Sequence, residues 1–225
     1  YNAQTGYLQT VTYPTSTNGC RFVAQYGYTN GVASSITDAS SAGTCGATGT
    51  VLWQLNAQDA RGLPIDEQLG NGVHILNGFD PDTGHLSWRT SGNNAQYNNH
   101  QNITYTWDKN ENLKDRIDVN QGNLTEHFEY DSLDRLDYST RNGVQNLDVT
   151  LDASGNITYK SDVGTYTFNP IKRHAIDSTS NGWAFTYDAN GNMLTGRGAT
   201  VTWSSYNLPT SITNGSIYSQ FSYTP

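Results

Sequence analysis

One motif recurs along this chain of 225 residues: an aromatic or large apolar residue, then Asp or Asn, then a short turn rich in Gly and Asn, then Leu, Ile or Met. It is clearest at Tyr187-Asp188-Ala189-Asn190-Gly191-Asn192-Met193, and the same frame fits Trp107-Asp108 to Leu113, Tyr130-Asp131 to Leu136 and Leu151-Asp152 to Ile157. In each, the apolar residue follows its Asp by five positions. Looser copies lie at Tyr1-Asn2 to Leu8, Asp59-Ala60-Arg61-Gly62, Phe79-Asp80 to Leu86, Phe168-Asn169, Trp203-Ser204 to Leu208 and Tyr223-Thr224. The copies start roughly every twenty residues, a period typical of stacked repeat architectures.

The residue types explain the frame. Before each Asp the chain alternates with period two, as in Ile103, Tyr105, Trp107 or Trp183, Phe185, Tyr187, which reads as strands with one buried face. Asp bonds its own backbone two residues on, and Gly and Asn accept positive φ, so Asp188 to Asn192 reads as a hairpin turn and the following Met starts the return strand. A lone hairpin buries too little, so successive hairpins are expected to pair edge to edge into one continuous sheet. Aromatics make up 12% of the chain, charged residues only 14%, and 22 Gly supply the turns. With no segment of 3.6-residue apolar period, this predicts an all-β chain. The repeat offers no linker at which to divide residues 1–225, which are read as a single domain. The Gly/Ser/Ala/Thr-rich run from Ser34 to Thr50 reads as a long surface loop.

A formal net charge of −8 argues against nucleic acid or an anionic membrane as partner. No stretch approaches the roughly eighteen apolar residues of a membrane helix, and no signal peptide is visible. The sequence begins without Met and stops two residues into what should be another turn, so a piece of a larger polypeptide is expected. Cys20 and Cys45 flank the glycine-rich run without a second Cys or His at metal-ligand spacing. One reading is a disulfide closing a loop of roughly 25 residues, contributing about 3 kcal/mol and implying an oxidising, extracellular or periplasmic compartment. The other is two free thiols.

The Tyr187 copy, Tyr13-Pro14, Trp53-Gln54-Leu55-Asn56-Ala57-Gln58-Asp59-Ala60, Leu69-Gly70-Asn71-Gly72-Val73, Phe79-Asp80-Pro81-Asp82-Thr83-Gly84 and His174-Ala175 together resemble the bacterial RHS family of YD-repeat proteins, over essentially the whole chain. That resemblance implies a ribbon of β-hairpins wound into a spiral around a hollow shell, as in insecticidal toxin complexes and teneurins, with a C-terminal toxin commonly enclosed. The family's terminal segment, with its Asp-Pro-x-Gly motifs and self-cleaving aspartates, would lie beyond Pro225, so no protease residue is carried over.

Chemistry is otherwise sparse. The acid pairs Asp131/Asp134, Glu126/Glu129 and Asp80/Asp82 resemble a glycosidase's two carboxylates only by count. Asp80 and Asp131 hold turn positions, Asp134 replaces the turn glycine, and Glu126 falls in a strand pattern. HExxH, GxSxG and phosphate-cradling glycine loops are absent. His74, His85, His100, His127 and His174 are scattered and read as satisfied imidazoles. Asp108-x-Asn110-x-Asn112 and Asp188-x-Asn190-x-Asn192 mimic the opening of a calcium loop, but Leu113 or Met193 stands where its glycine is needed and Val119 or Ala199 where its Glu is needed. The expectation is a non-enzymatic protein without metal or cofactor. Asp59, Asp80, Asp108, Asp131, Asp152, Asp188 and Gly191 are read as structural turn residues. Sugar binding through Tyr and Trp faces is the rival reading, although most aromatics, Trp53 and Trp88 included, are expected to pack on the sheet. The expected partners are therefore adjoining parts of the same polypeptide, further repeats and a C-terminal effector, or else glycans or further copies of the chain joined through sheet edges.

Overall fold

The computed structural model describes residues 1–41, 48–93 and 96–223. Two compact units are defined by their internal packing, Tyr1–Glu126 and His127–Pro225. The first holds β1 (Thr10–Thr12), β2 (Val23–Thr29), β3 (Val32–Asp38), β4 (Val51–Gln58), β5 (Pro64–Leu69), β6 (His74–Phe79), β7 (Leu86–Asn93), β8 (Gln96–Trp107), β9 (Leu113–Asp118) and a 3-10 turn at Val119–Gln121. Strand β10 (Leu124–Tyr130) spans the boundary. The second holds β11 (Leu136–Arg141), β12 (Val144–Leu151), β13 (Ile157–Lys160), β14 (Gly164–Phe168), β15 (Ile176–Thr179), β16 (Phe185–Tyr187), β17 (Met193–Gly196), β18 (Ala199–Trp203), β19 (Pro209–Asn214) and β20 (Ile217–Gln220). The chain is all-β. Neighbours in sequence are neighbours in the sheet, in the order β1 to β15, with β16 to β20 forming a second, five-stranded sheet.

The break between the sheets differs from the single continuous sheet expected. Between β15 and β16 the ladder reduces to one isolated bridge, Ser178 to Ala184, although the link over Thr179–Trp183 closes as the other five-residue links do: Thr179 N–H donates to Trp183 C=O and Gly182 N–H to Thr179 C=O, at 2.9 and 3.0 Å. The expected loop from Ser34 to Thr50 also needs correcting, since Ser34–Asp38 belongs to β3 and pairs with both β2 and β4. Ala39 and Ser40 then turn inward. Ser40 is 1% exposed, its N–H donating to Asp38 Oδ1 at 2.8 Å and its Oγ accepting from Val23 N–H at 3.0 Å. Cys45 lies outside the described residues, so the expected Cys20–Cys45 pair is not fully within the described structure.

The spacing of five residues is a matter of register. Trp107 lies opposite Leu113, Leu151 opposite Ile157 and Tyr187 opposite Met193, each at a point where the ladder shifts by one residue. A five-residue link with one left-handed residue produces this bulge. The fourth residue of each such link carries the positive φ: Gly62, Gly72, Gly155, Gly182 and Gly191, between 81° and 93°, with Asn207 at 61°, Asp134 at 57° and Glu111 at 71° in the same place. Gly191→Ala meets no neighbour, so its cost is conformational, about 1–2 kcal/mol, read as a lower denaturant midpoint.

Packing departs from the expected buried aromatic face. Among the described residues the only buried apolar side chains are Ala24, Val73, Val149 and Val201, while Trp88, Trp107 and Tyr159 are each 36–40% exposed. Trp88 is therefore no core residue. Its indole lies across Gly78, where an added Cβ would fall 2.0 Å from Nε1. Trp53 is half-buried and donates from Nε1 to Glu67 Oε1 at 2.9 Å. The chain exposes 14449 Å², against about 10,000 Å² for a compact protein of its mass. Its sheet faces are only partly covered, because antiparallel hairpins with a mixed pattern bury a face only when a second layer lies on them.

Candidate functional site

A meander turns alternately at two margins. In the first unit the links at 59–63, 80–85 and 108–112 share one margin; in the second, the links at 131–135, 152–156 and 169–175 do, as do those at 188–192 and 204–208 in the five-stranded sheet. Within each unit these margins collect every Asp read as a turn residue. Asp188 shows the shared geometry. Its N–H donates to Asn192 C=O and its C=O accepts from Gly191 N–H, at 2.9 and 3.2 Å, while Oδ1 accepts from Asn192 N–H at 2.8 Å and Oδ2 from Asn192 Nδ2 at 2.9 Å. Asp108 and Asp152 repeat this with Asn112 and Asn156. Asp131 uses Arg135, whose Nε donates at 2.7 Å, and Asp59 uses Arg61 and Leu63. Asp80 heads a longer link, its Oδ1 accepting from Asp82 N–H, Thr83 N–H and Thr83 Oγ1.

Donors focused on a carboxylate favour its charged form. The N–H of Leu63 holds Asp59 below the usual carboxylate range, and Thr83, Asn112 and Asn156 do the same through their N–H groups for Asp80, Asp108 and Asp152. For Asp131 and Asp188 the leading donors are the side chains of Arg135 and Asn192. These carboxylates are thus bonded within their own turns, Asp80 through Oδ1 alone, and no group of three or more His, Cys, Asp or Glu side chains able to hold a metal occurs among the described residues.

What the sequence did not expose is the next level of order: several turns hold the one after them. Arg61 Nη1 donates to the carbonyls of Asp80 and Pro81 at 3.1 and 3.3 Å. Arg135 Nη1 donates to Asp152 C=O at 2.9 Å, and Lys172 Nζ donates to Asp188 C=O. Asn156 Nδ2 reaches Arg173 C=O at 3.3 Å while His174 Nδ1 lies 2.6 Å from Asn156 Oδ1, and Asn192 Nδ2 donates to Asn207 Oδ1 at 2.8 Å. A polar residue inside one turn thus caps a backbone carbonyl of the next, or, for Asn192, its side-chain oxygen. The only trace of this in the sequence is the Arg, Lys or Asn within those turns: Arg61, Arg135, Asn156, Lys172 and Asn192.

The repeated hairpins with their interlocked turns make an antiparallel meander, and comparison with known proteins agrees at the level of fold. No family model matches the sequence, and no curated protein matches it either. Solved structures do. The crystal structure of TcdB2-TccC3-Cdc42 superposes with a TM-score of 0.59 at 16% identity, over 86% of this chain and 12% of that one. This chain has the fold of a segment of a Tc toxin. The Photorhabdus luminescens Tc holotoxin pore gives 0.57 at 16% identity over 86% of this chain, and TcdB2-TccC3-TEV gives 0.56 at 15% over 88%; each match again covers 12% of the other chain. The chain therefore spans a small part of the Tc toxin chains it matches. No helix among the described residues is long and apolar enough to cross a membrane.

Proposed function

We propose that this chain is a non-catalytic wall segment of a secreted RHS-type shell, which encloses or presents an effector carried by the same polypeptide. The observation that carries the reading is the partly covered sheet: only four apolar side chains are buried among the described residues, on a fold similar to part of a Tc toxin. Further repeats would cover the sheet edges, and the aromatic side chains left exposed would meet the enclosed polypeptide. The turn aspartates supply rigidity, and no catalytic group is assigned.

Limited proteolysis of the intact gene product tests this. A wall predicts cuts at exposed turns, with the effector segment surviving until the wall is opened by denaturant; an effector cleaved as fast as the turns would overturn the reading. A second reading, an adhesive or glycan-binding repeat that polymerises by strand addition, is favoured by β20, whose every residue is exposed, with Ile217 at 72% and Tyr218 at 59%.

An extracellular location goes with a Cys20–Cys45 disulfide, in keeping with the finding that no described cysteine is free. Reduction should lower stability by about 3 kcal/mol, measured as a drop in the urea midpoint. Alkylation of both thiols without reductant would remove the bridge and this argument for the compartment.

A further inference from the structure

Between the Asp80–His85 and Asp108–Asn112 links, within the first unit, lies a cavity of about 350 Å³. Its walls follow from register. Trp88 pairs with Thr104, which places Ser87 opposite Tyr105, and the period-two alternation puts His85 and Trp107 on that same face. His85 stacks on the Trp107 indole, with ring centroids 4.6 Å apart and planes inclined by 21°. The indole Nε1 is fixed by donation to Leu86 C=O at 3.0 Å.

Beside the hydroxyls of Thr83, Ser87, Tyr105 and Thr106, the cavity is lined by acceptors that lack donors. Asp80 receives its three hydrogen bonds on Oδ1, and no donor reaches Oδ2 among the described residues. Glu111 reaches outward, its side chain 72% exposed, and its Oε2 stands 3.8 Å from His85 Nε2. That nitrogen is sealed from solvent and has no hydrogen-bond partner. The separation is too long for a hydrogen bond and about 1 Å short of what one bridging NH₂ group needs, a gap that rotation of the exposed Glu111 side chain opens. Among the described residues Lys109 is the one Lys or Arg lining the cavity, against the carboxylates of Asp80, Asp108 and Glu111.

Unpartnered acceptors beside a partly exposed indole match a planar cation with several N–H donors, which bonds carboxylates in pairs and stacks on aromatic rings. A neutral hydroxylated ligand could bond the lining hydroxyls but would leave the charge of Asp80, Asp108 and Glu111 balanced by Lys109 alone. We propose that this cavity binds the guanidinium of an arginine side chain from a polypeptide, with Glu111 and Asp80 Oδ2 as its acceptors and His85 Nε2 as a third once Glu111 swings aside. The inference is independent of the wall reading, since the cavity is complete in the first unit whether or not an effector is enclosed.

The test is an NMR titration of the chain with a capped Gly-Arg-Gly tripeptide, following the Trp107 indole N–H signal, with the citrulline tripeptide as the neutral isostere and the lysine tripeptide as the competing cation. Binding predicts a saturable shift with arginine, a weaker one with lysine and none with citrulline. Glu111→Gly should weaken arginine binding about tenfold. Because that substitution removes a non-glycine residue from φ 71°, it should at the same time raise stability, so lost binding cannot be ascribed to lost folding. Equal shifts from arginine and citrulline, no shift with arginine, or undiminished binding by Glu111→Gly would overturn the proposal.

Discussion

Gly70→Ala is expected to destabilise the protein by about 2 kcal/mol, whereas Gly72→Ala, two residues away, is expected to cost about 1 kcal/mol for a different reason. Gly70 closes β5 against the start of β4: its N–H donates to Leu52 C=O at 2.8 Å, and an added Cβ would fall 2.4 Å from Val51 O and 3.0 Å from Leu52 Cα. Both are backbone atoms, so no side chain can swing away and the strands must separate. Gly72 has φ of 81° with open space around it, so only the left-handed backbone is penalised. Urea unfolding of both variants would show the larger midpoint shift at Gly70, with a thermal shift on the order of 5 °C. A neutral Gly70→Ala would mean that the two strands do not approach as described.

The second large effect is expected in acid. Asp38, Asp59, Asp80, Asp108, Asp131, Asp152, Asp162 and Asp188 are all held below the ordinary carboxylate range in the folded protein. A depressed folded-state value means that the unfolded chain binds the proton more tightly. The stabilisation is therefore complete above the unfolded value of about 3.9 and is lost as pH falls through the folded values. The urea midpoint should hold steady from about pH 7 to 5 and fall steeply below about pH 4. Replacing Asp152 and Asp188 together by Asn keeps Oδ1 for the backbone N–H donors but removes the charge and the Oδ2 acceptor of Asn156 Nδ2 and Asn192 Nδ2, which lowers the midpoint at neutral pH and flattens the acid fall. A midpoint unchanged down to about pH 3 would show that the turn carboxylates contribute little to folding.

The local order of this protein is legible in its sequence because each turn is specified within five residues. Asp supplies the acceptor, Gly or Asn takes the left-handed position, and the paired apolar residues fix the register, as at Tyr187 and Met193. A signal of the same kind stands in Asn142-Gly143 on the opposite margin and in Asn30-Gly31 on the margin of the Asp turns; their φ values of 50–51° and 76–82° are those of two-residue hairpin loops. Arg197-Gly198 adopts the same loop with a residue that gives no such warning. Non-local features were not legible. The capping of Asp152 C=O by Arg135 and of Asp188 C=O by Lys172 depends on which turns become neighbours. The exposure of Trp88 and Trp107 depends on what covers the sheet, which alternation alone does not reveal. His85, which the sequence left among satisfied imidazoles, has a ring nitrogen with no partner among the described residues because its acceptor neighbours come from another turn.

Electron cryomicroscopy of the intact gene product tests the central claim most directly. If this chain is wall, its strands will continue into further hairpins, and density from the same polypeptide will lie against the face that bears Tyr105 and Trp107. Copies joined end to end through β20 with nothing enclosed, or a second sheet packed flush on that face, would contradict it.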